Sequence, residues 1–384
     1  MNIAFIRRKY SQSGGAELYL QRLMQALVER GHKIHIFTEN WQINEKDITV
    51  NTLRITGPSY NKPLKFALEV EKAICEFNFD CVFSLERTLR QDIYRAGDGV
   101  HRQWLTQREK YLPFWKKYLV RLEPFHRVML CLESITFNPQ NTHFIIANSE
   151  MVKKEIVGHF AFPPERIKLV RNGVDIKRFS AGNREQTRKR FGINENDVLL
   201  LFAGSGWERK GLRFVLDLMK ELQRLNASFC SIKPSKNNNA VNRKNFKLLV
   251  AGKGRRPLFA PNNVVFAGAV QDIENLYAAA DIFILLPIYE PSANVVYEAL
   301  AADLPVITTS ANGASEIIKS GVTGTIINDP KNLNALKEAV YYWAERGRLN
   351  RNVLPDKSDL SIERNVNETI NVIEDAIRYK SVEK

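Results

Sequence analysis

Short apolar runs alternate with amphipathic stretches along most of this chain. Residues 2–6 (NIAFI) form a β-rich apolar run, and Tyr19, Leu23, Ala26, Leu27 and Arg30 then fall at helical spacing, with Gly31 as the stop. Residues 33–38 (KIHIFT) resume the extended pattern, and further strands are expected at 49–55, 80–85 and 142–147. A polar stretch carrying Gly and Asn interrupts the alternation over 171–197. It restarts at 198–204 (VLLLFAG), followed by a helix with Phe214, Val215, Leu218, Leu222 and Leu225 on one face. Five more strands are expected at 247–254, 263–270, 281–287, 305–310 and 323–329, with helices between most of them. After a connection containing Pro355, a last helix carries Ile362, Val366, Ile370, Ile373 and Ile377 on one face. Apolar runs without internal alternation suit parallel strands buried on both faces. The pattern predicts an α/β chain of two Rossmann-like, doubly wound domains. The asparagine-rich insert 226–245 is expected to be a mobile surface loop.

The length, 384 residues, suits two domains, and 44% hydrophobic with 26% charged residues excludes wholesale disorder. Cys75, Cys81, Cys131 and Cys230 lie in or beside apolar runs without CxxC spacing. They read as small buried hydrophobes in a reducing compartment. The first apolar run is too short for a signal-peptide core, and no window reaches the ~20 apolar residues of a membrane span. A cytoplasmic protein that can touch a membrane without crossing it is expected. The net charge is +14, and residues 1–182 carry 28 Lys and Arg against 19 Asp and Glu. Such a surface attracts anionic lipid, nucleic acid or a phosphorylated substrate.

Ligands of doubly wound sheets bind beyond the carboxyl ends of the strands, so the loops after strands are where chemistry is expected. Four stand out. Ser13-Gly14-Gly15-Ala16-Glu17 follows the first strand; glycines at a helix start let backbone N–H groups approach a phosphate, though an ordinary tight turn reads the same way. It is not GxGxxG, and the chain has no Walker loop. Gly204 to Gly211 places Arg209 and Lys210 at the mouth of a helix, where two cations can neutralise a diphosphate or simply face solvent. Glu290 and Glu298 flank a helix start near Asn294 and Val295; carboxylates suit hydroxyl groups and helix N–H groups suit an anion. Arg95 to His101 sets Asp98 and His101 beside two glycines, either to handle a proton or to form a structural turn. No His/Cys/Asp cluster has metal-ligand spacing, so no metal is expected.

Together these motifs resemble the retaining nucleotide-sugar glycosyltransferases of family 4. The Glu290-x7-Glu298 pair with Pro291 resembles their signature, Ser13 to Glu17 their N-terminal loop, and Gly204 to Gly211 their Arg-Lys phosphate site. Asn172-Gly173-Val174-Asp175 followed by Phe179 resembles their interdomain motif. Length, the basic N-terminal half and the opening motif resemble the lipopolysaccharide-core glucosyltransferases of that family. The resemblance implies a GT-B fold with an interdomain cleft. It implies an acceptor-binding domain over 1–175, completed by a helix over 361–380, and a nucleotide-sugar-binding domain over 176–357. By the same likeness, Glu298 holds the ribose hydroxyls and Glu290 a sugar hydroxyl. The backbone of Asn294 and Val295 meets the distal phosphate, and Arg209 and Lys210 meet the leaving diphosphate. Gly14 and Gly15 close over the donor. His101 contacts the donor sugar, and Asp98 is added as a partner of the acceptor. Ser292-Ala293-Asn294 departs from the aromatic-or-small residue and Gly common in the family. The implied donor is a UDP-hexose, glucose foremost, with no cofactor, and the implied acceptor a glycan or lipid-linked sugar of surface polysaccharide.

Residues 101–127 hold seven Lys and Arg against two Glu, interleaved with aromatics. Trp104, Lys110, Trp115, Lys116, Lys117 and Arg121 are expected to dock on an anionic membrane. The alternative is a helical pair with its aromatics in the core. Two other functions stay open. One is a nucleotide-sugar epimerase of the same fold; the other is a basic RNA- or glycan-binding protein, although the charge is diffuse and no RNA-module signature is present.

Overall fold

The computed structural model describes residues 1–9, 15–41, 47–230, 244–349 and 357–382. Ser13, Gly14, Pro355 and residues 231–243 of the polar insert lie outside the described residues. The chain forms two compact units, Met1–Asn172 with Ile362–Lys384, and Gly173–Ser361.

In the first unit, seven parallel strands lie in the order β3-β2-β1-β4-β5-β6-β7. They are β1 (Asn2–Ile6), β2 (Lys33–Thr38), β3 (Ile48–Thr52), β4 (Cys81–Ser84), β5 (Gln91–Arg95), β6 (Thr142–Ala147) and β7 (Ile167–Leu169). Helices α1 (Gly15–Glu29), α2 (Lys62–Ile74), α3 (His101–Glu109), α4 (Phe114–Leu122), α5 (Pro124–Thr136) and α6 (Glu150–Phe160) lie between them. One face of the sheet is covered by Leu20, Leu23, Met24 and Leu27 of α1 together with Ile362, Val366, Ile370 and Ile373 of the last helix. Phe66 and Val70 of α2 cover part of the other face.

The second unit has six parallel strands in the order β10-β9-β8-β11-β12-β13. It begins with α7 (Ile176–Phe179) and α8 (Arg184–Arg190). Then come β8 (Asp197–Ala203), α9 (Leu212–Cys230), β9 (Asn245–Ala251), β10 (Val264–Gly268), α10 (Ile273–Ala279) and β11 (Ile282–Leu285). It closes with α11 (Asn294–Ala301), β12 (Val306–Thr309), β13 (Gly324–Ile327) and α12 (Leu333–Arg346). The last helix, α13 (Ile362–Val382), returns to the first unit. Each sheet reverses its strand order once, at β1/β4 and at β8/β11, and such switch points are where doubly wound sheets bind ligands.

The expected strands are present; those at 2–6, 33–38 and 142–147 match in full, and several others are shorter than the apolar runs. The run at 49–55 stops pairing at Thr52: β2 ends at Thr38, whose carbonyl takes one last bond from Leu53 N (2.7 Å). The runs from 198 and 247 end where Gly204 and Gly252 turn to φ +127° and +117°. The insert is shorter than expected, since residues 226–230 continue α9 and Asn245 opens β9. Of the cysteines expected to be buried, Cys81 is; Cys75 and Cys131 are exposed, at the end of α2 and on the outer face of α5.

Candidate active site

In the second unit the loops after β8, β11 and β12 are tied to one another. Ile288 N donates to Arg209 O (3.0 Å), Glu290 N to Ala311 O (2.9 Å), and Gly313 N to Glu290 O (2.9 Å). Gly211 allows the first of these approaches. It holds φ +75°, and a Cβ there would lie 1.7 Å from Leu286 O. At Gly204 a Cβ would lie 2.8 Å from Lys210 Nζ, so the lysine stem runs back over the end of β8.

This packing brings three expected residues together. Arg209 Nη1 stands 2.8 Å from Glu290 Oε2, and Lys210 Nζ 3.8 Å from the same oxygen. The arginine contact lacks hydrogen-bond alignment, so among the described residues this buried oxygen has no aligned donor. Two cations and a carboxylate therefore share one spot at the switch point of the sheet.

Glu298 lies one turn inside α11 and makes a different contact. Its Oε2 accepts from the Tyr277 hydroxyl at 2.7 Å. Burial pushes its carboxyl up, opposed by that hydrogen bond and by the nearby cations of Lys210 and Arg178. Asn294 and Val295 are half-buried at the start of α11, whose N-cap, Ala293, supplies no side-chain acceptor. Buried Asn312 fixes the approach to this helix: its Oδ1 accepts from Ala293 N and Ala314 N (3.2 and 3.1 Å), and its Nδ2 donates to Thr308 Oγ1 (3.1 Å). The Ser292-Ala293-Asn294 departure is accommodated here, with Ser292 Oγ 3.3 Å from the Tyr297 hydroxyl. Tyr277 and Asn312 were not among the expected residues. The signal for Asn312 is its place in the loop just past the strand expected at 305–310, where polar side chains of a doubly wound sheet gather.

In the first unit, Gly97 and Asp98 are exposed after β5, and Gly99 turns at φ +66° before His101 opens α3. The imidazole of His101 bonds His126 of α5, with His101 Nε2 3.0 Å from His126 Nδ1, and Asp98 is not its partner. The backbone N–H groups of His101 and Arg102 donate to the fully buried Glu133 carboxylate (2.5 and 2.9 Å), which caps the helix from α5. Arg87 Nη2 completes the clamp, donating to Glu133 Oε1 (3.1 Å) and Gly99 O (2.8 Å). Gly15 is the first residue of α1.

The basic aromatic segment forms α3, α4 and the start of α5. Phe114, Trp115, Leu119 and Leu122 are 73%, 61%, 57% and 67% exposed, which rules out the core for the aromatics Phe114 and Trp115; the side chain of Tyr118 lies outside the described residues. Lys110 and Lys116 are exposed, Lys117 and Trp104 half-buried, and the side chain of Arg121 lies outside the described residues. Among the described residues no group of three metal-ligating side chains forms, and no helix is long and apolar enough to cross a membrane.

Two family models divide the chain between them. Glycosyltransferase Family 4 matches residues 13–178, and Glycosyl transferases group 1 matches residues 183–354. The lipopolysaccharide glucosyltransferase WaaG of Escherichia coli K12 is 26% identical over 372 residues, covering 91% of this chain and 93% of its own. An uncharacterised glycosyltransferase of Methanocaldococcus jannaschii is 24% identical over 375 residues, 88% and 87% of the two chains. The crystal structure of WaaG, a glycosyltransferase involved in lipopolysaccharide biosynthesis, superposes at TM-score 0.73 over 98% of both chains, with 22% identity. Anabaena HepE in complex with UDP and glucose superposes at TM-score 0.65 over 98% of this chain and 100% of its own, with 16% identity. With two parallel Rossmann-like sheets and both models matched in order, the chain belongs to the family 4 glycosyltransferases of GT-B fold.

Proposed function

We propose that this glycosyltransferase moves glucose from UDP-glucose to a glycan or lipid-linked acceptor, with retention of configuration, in lipopolysaccharide core or related surface-polysaccharide synthesis. The observation that carries the reading is the Arg209–Lys210–Glu290 cluster at the switch point of the second sheet. Breaking the bond between the sugar C1 and the phosphate leaves negative charge on the diphosphate and positive charge on the ring. Arg209, Lys210 and the opening N–H groups of α11 stabilise the first charge in place, and the proposed reaction uses no metal. Glu290 exchanges its cation contact for a sugar hydroxyl, and Glu298 accepts from the ribose hydroxyls. His101 contacts the sugar near C1, Gly14 and Gly15 cover the donor, and Asp98 meets the acceptor. The acceptor hydroxyl attacks on the face the phosphate leaves, and its proton passes to the departing phosphate oxygen. Products are UDP and the new glycoside.

The acceptor reading draws support from α4. Exposed Phe114, Trp115, Leu119 and Leu122 beside Lys110 and Lys116 suit the headgroup layer of an anionic membrane. Docking would set the enzyme on the inner face of the cytoplasmic membrane, beside a lipid-linked acceptor. WaaG's lipopolysaccharide substrate and HepE's UDP-glucose complex agree with this donor and acceptor class.

Thermal denaturation with a panel of nucleotides and nucleotide sugars tests the reading. UDP-glucose at 100 times its Kd is expected to add about 2.7 kcal/mol of stability, and the Arg209→Ala/Lys210→Ala double variant to lose the gain. No stabilisation by any nucleotide would sink it.

A further inference from the structure

The histidine pair of the first unit has an internal logic of its own. His101 and His126 face each other through His101 Nε2 and His126 Nδ1, 3.0 Å apart, with ring centroids 5.1 Å apart. His126 is buried, and Phe125 lies edge-on to His101 at 6.2 Å. Burial, then the Arg87 and His126 charges, push the His101 imidazole down to about 3, and burial lowers His126 as well. Near pH 7 both rings are neutral, so one proton lies between the two facing nitrogens.

Two groups compete for the far nitrogen of His126. Glu123 Oε2 lies 3.3 Å from His126 Nε2, and Arg108 Nη1 lies 3.4 Å from it. A carboxylate only accepts, and a guanidinium only donates. With Glu123 in control, His126 carries its proton on Nε2 and offers a lone pair at Nδ1. His101 must then donate from Nε2, which leaves its Nδ1 as an acceptor. With Arg108 in control both rings invert, and His101 Nδ1 becomes a donor. Arg108 Nη1 meets His126 Nε2 with hydrogen-bond geometry, whereas Glu123 approaches it only as an ion pair, so Arg108 is in control.

We infer that His126, held by Arg108, is a positioning residue that fixes the Nδ1–H tautomer of His101 and presents Nδ1–H as a donor to a sugar hydroxyl. The sugar hydroxyl rests on the donor-contact role proposed for His101; the tautomer does not. The clamp of Glu133 and Arg87 holds the backbone of His101, and His126 holds the ring.

The test is long-range proton–nitrogen correlation NMR on the full chain labelled with ¹⁵N-histidine, at pH 7.5 without donor. Six histidines are present, and His101→Asn and His126→Asn assign the two signals. Protons on Nδ1 of both rings are expected in the native protein. Arg108→Ala should invert both rings to Nε2–H, and Glu123→Ala, at a side chain 52% exposed, should leave them as they were. Native His101 protonated on Nε2, or rings unchanged in Arg108→Ala, would overturn the inference. A protein that binds no UDP-glucose would remove the transferase reading and leave this tautomer result standing.

Discussion

The raised carboxyl of Glu298 makes the residue a burden to the ligand-free protein. Its folded pKa lies above the unfolded one because of burial, so any stability it contributes is complete below the unfolded value and is lost as pH rises through the folded value. At pH 7.5 the ionised form therefore opposes folding. Glu298→Gln removes the charge and keeps an acceptor for the Tyr277 hydroxyl, 2.7 Å away. The variant is expected to melt higher than the native protein at pH 7.5, with the difference shrinking toward pH 4, and to lose stabilisation by UDP-glucose. A lower melting temperature at pH 7.5 would show that the carboxylate is no burden. The spacing of Glu290 and Glu298 was legible because both belong to one loop and helix. Tyr277 was not, since a tyrosine at an apolar position of the ENLYAAA stretch reads as core, and only tertiary packing brings its hydroxyl to Glu298. His126 was hidden for the same reason: its partner His101 stands 25 residues away.

At the scale of elements, the central strands were the most legible feature. A parallel strand buried on both faces is apolar at nearly every position, as β8 and β11 are. Strand β7 has only three residues, Ile167–Leu169, and leaves no comparable run. Residues 101–127 were read as one basic aromatic segment, whereas the structure divides them among three helices at Pro113 and Pro124, each at a helix start. Helix α4 then presents Phe114, Trp115, Leu119 and Leu122 to solvent while Val120 is buried, so replacing those four removes little folding energy. Changing Phe114, Trp115, Leu119 and Leu122 together to Ser is expected to lower the melting temperature by no more than about 4–8 °C, four surface positions at roughly 0.5 kcal/mol or less each summing to about 2 kcal/mol. The same variant should lose sedimentation with phosphatidylglycerol vesicles at low salt. Native protein that stays in the supernatant with those vesicles would refute the docking role of α4.

For the whole molecule, the chain order and the unit order disagree. Helix α13 comes after the entire second unit in sequence but belongs to the first. Its periodicity was legible; only the resemblance to the family assigned this helix to the first domain, because an amphipathic face does not state which sheet it covers. The contacts answer this. Ile362, Val366, Ile370, Val372 and Ile373 are buried against α1 and the first sheet, Tyr19 donates to Thr369 (2.9 Å), and Lys380 Nζ meets Asp92 Oδ2 at 3.1 Å. At roughly 1.5–3 kcal/mol per buried aliphatic side chain, those five contribute on the order of 10 kcal/mol, comparable to the whole stability of a domain. A chain ended after Ser361 should therefore lose the first unit as a folded body. Residues 173–361 keep every strand of the second sheet together with Arg209, Lys210, Glu290 and Glu298. Limited trypsin digestion is expected to consume residues 1–172 rapidly while the remainder resists, and UDP should still protect that remainder. Equal resistance of both units would mean that α13 is dispensable to the first sheet. Loss of both would mean that the second unit draws its stability from the first.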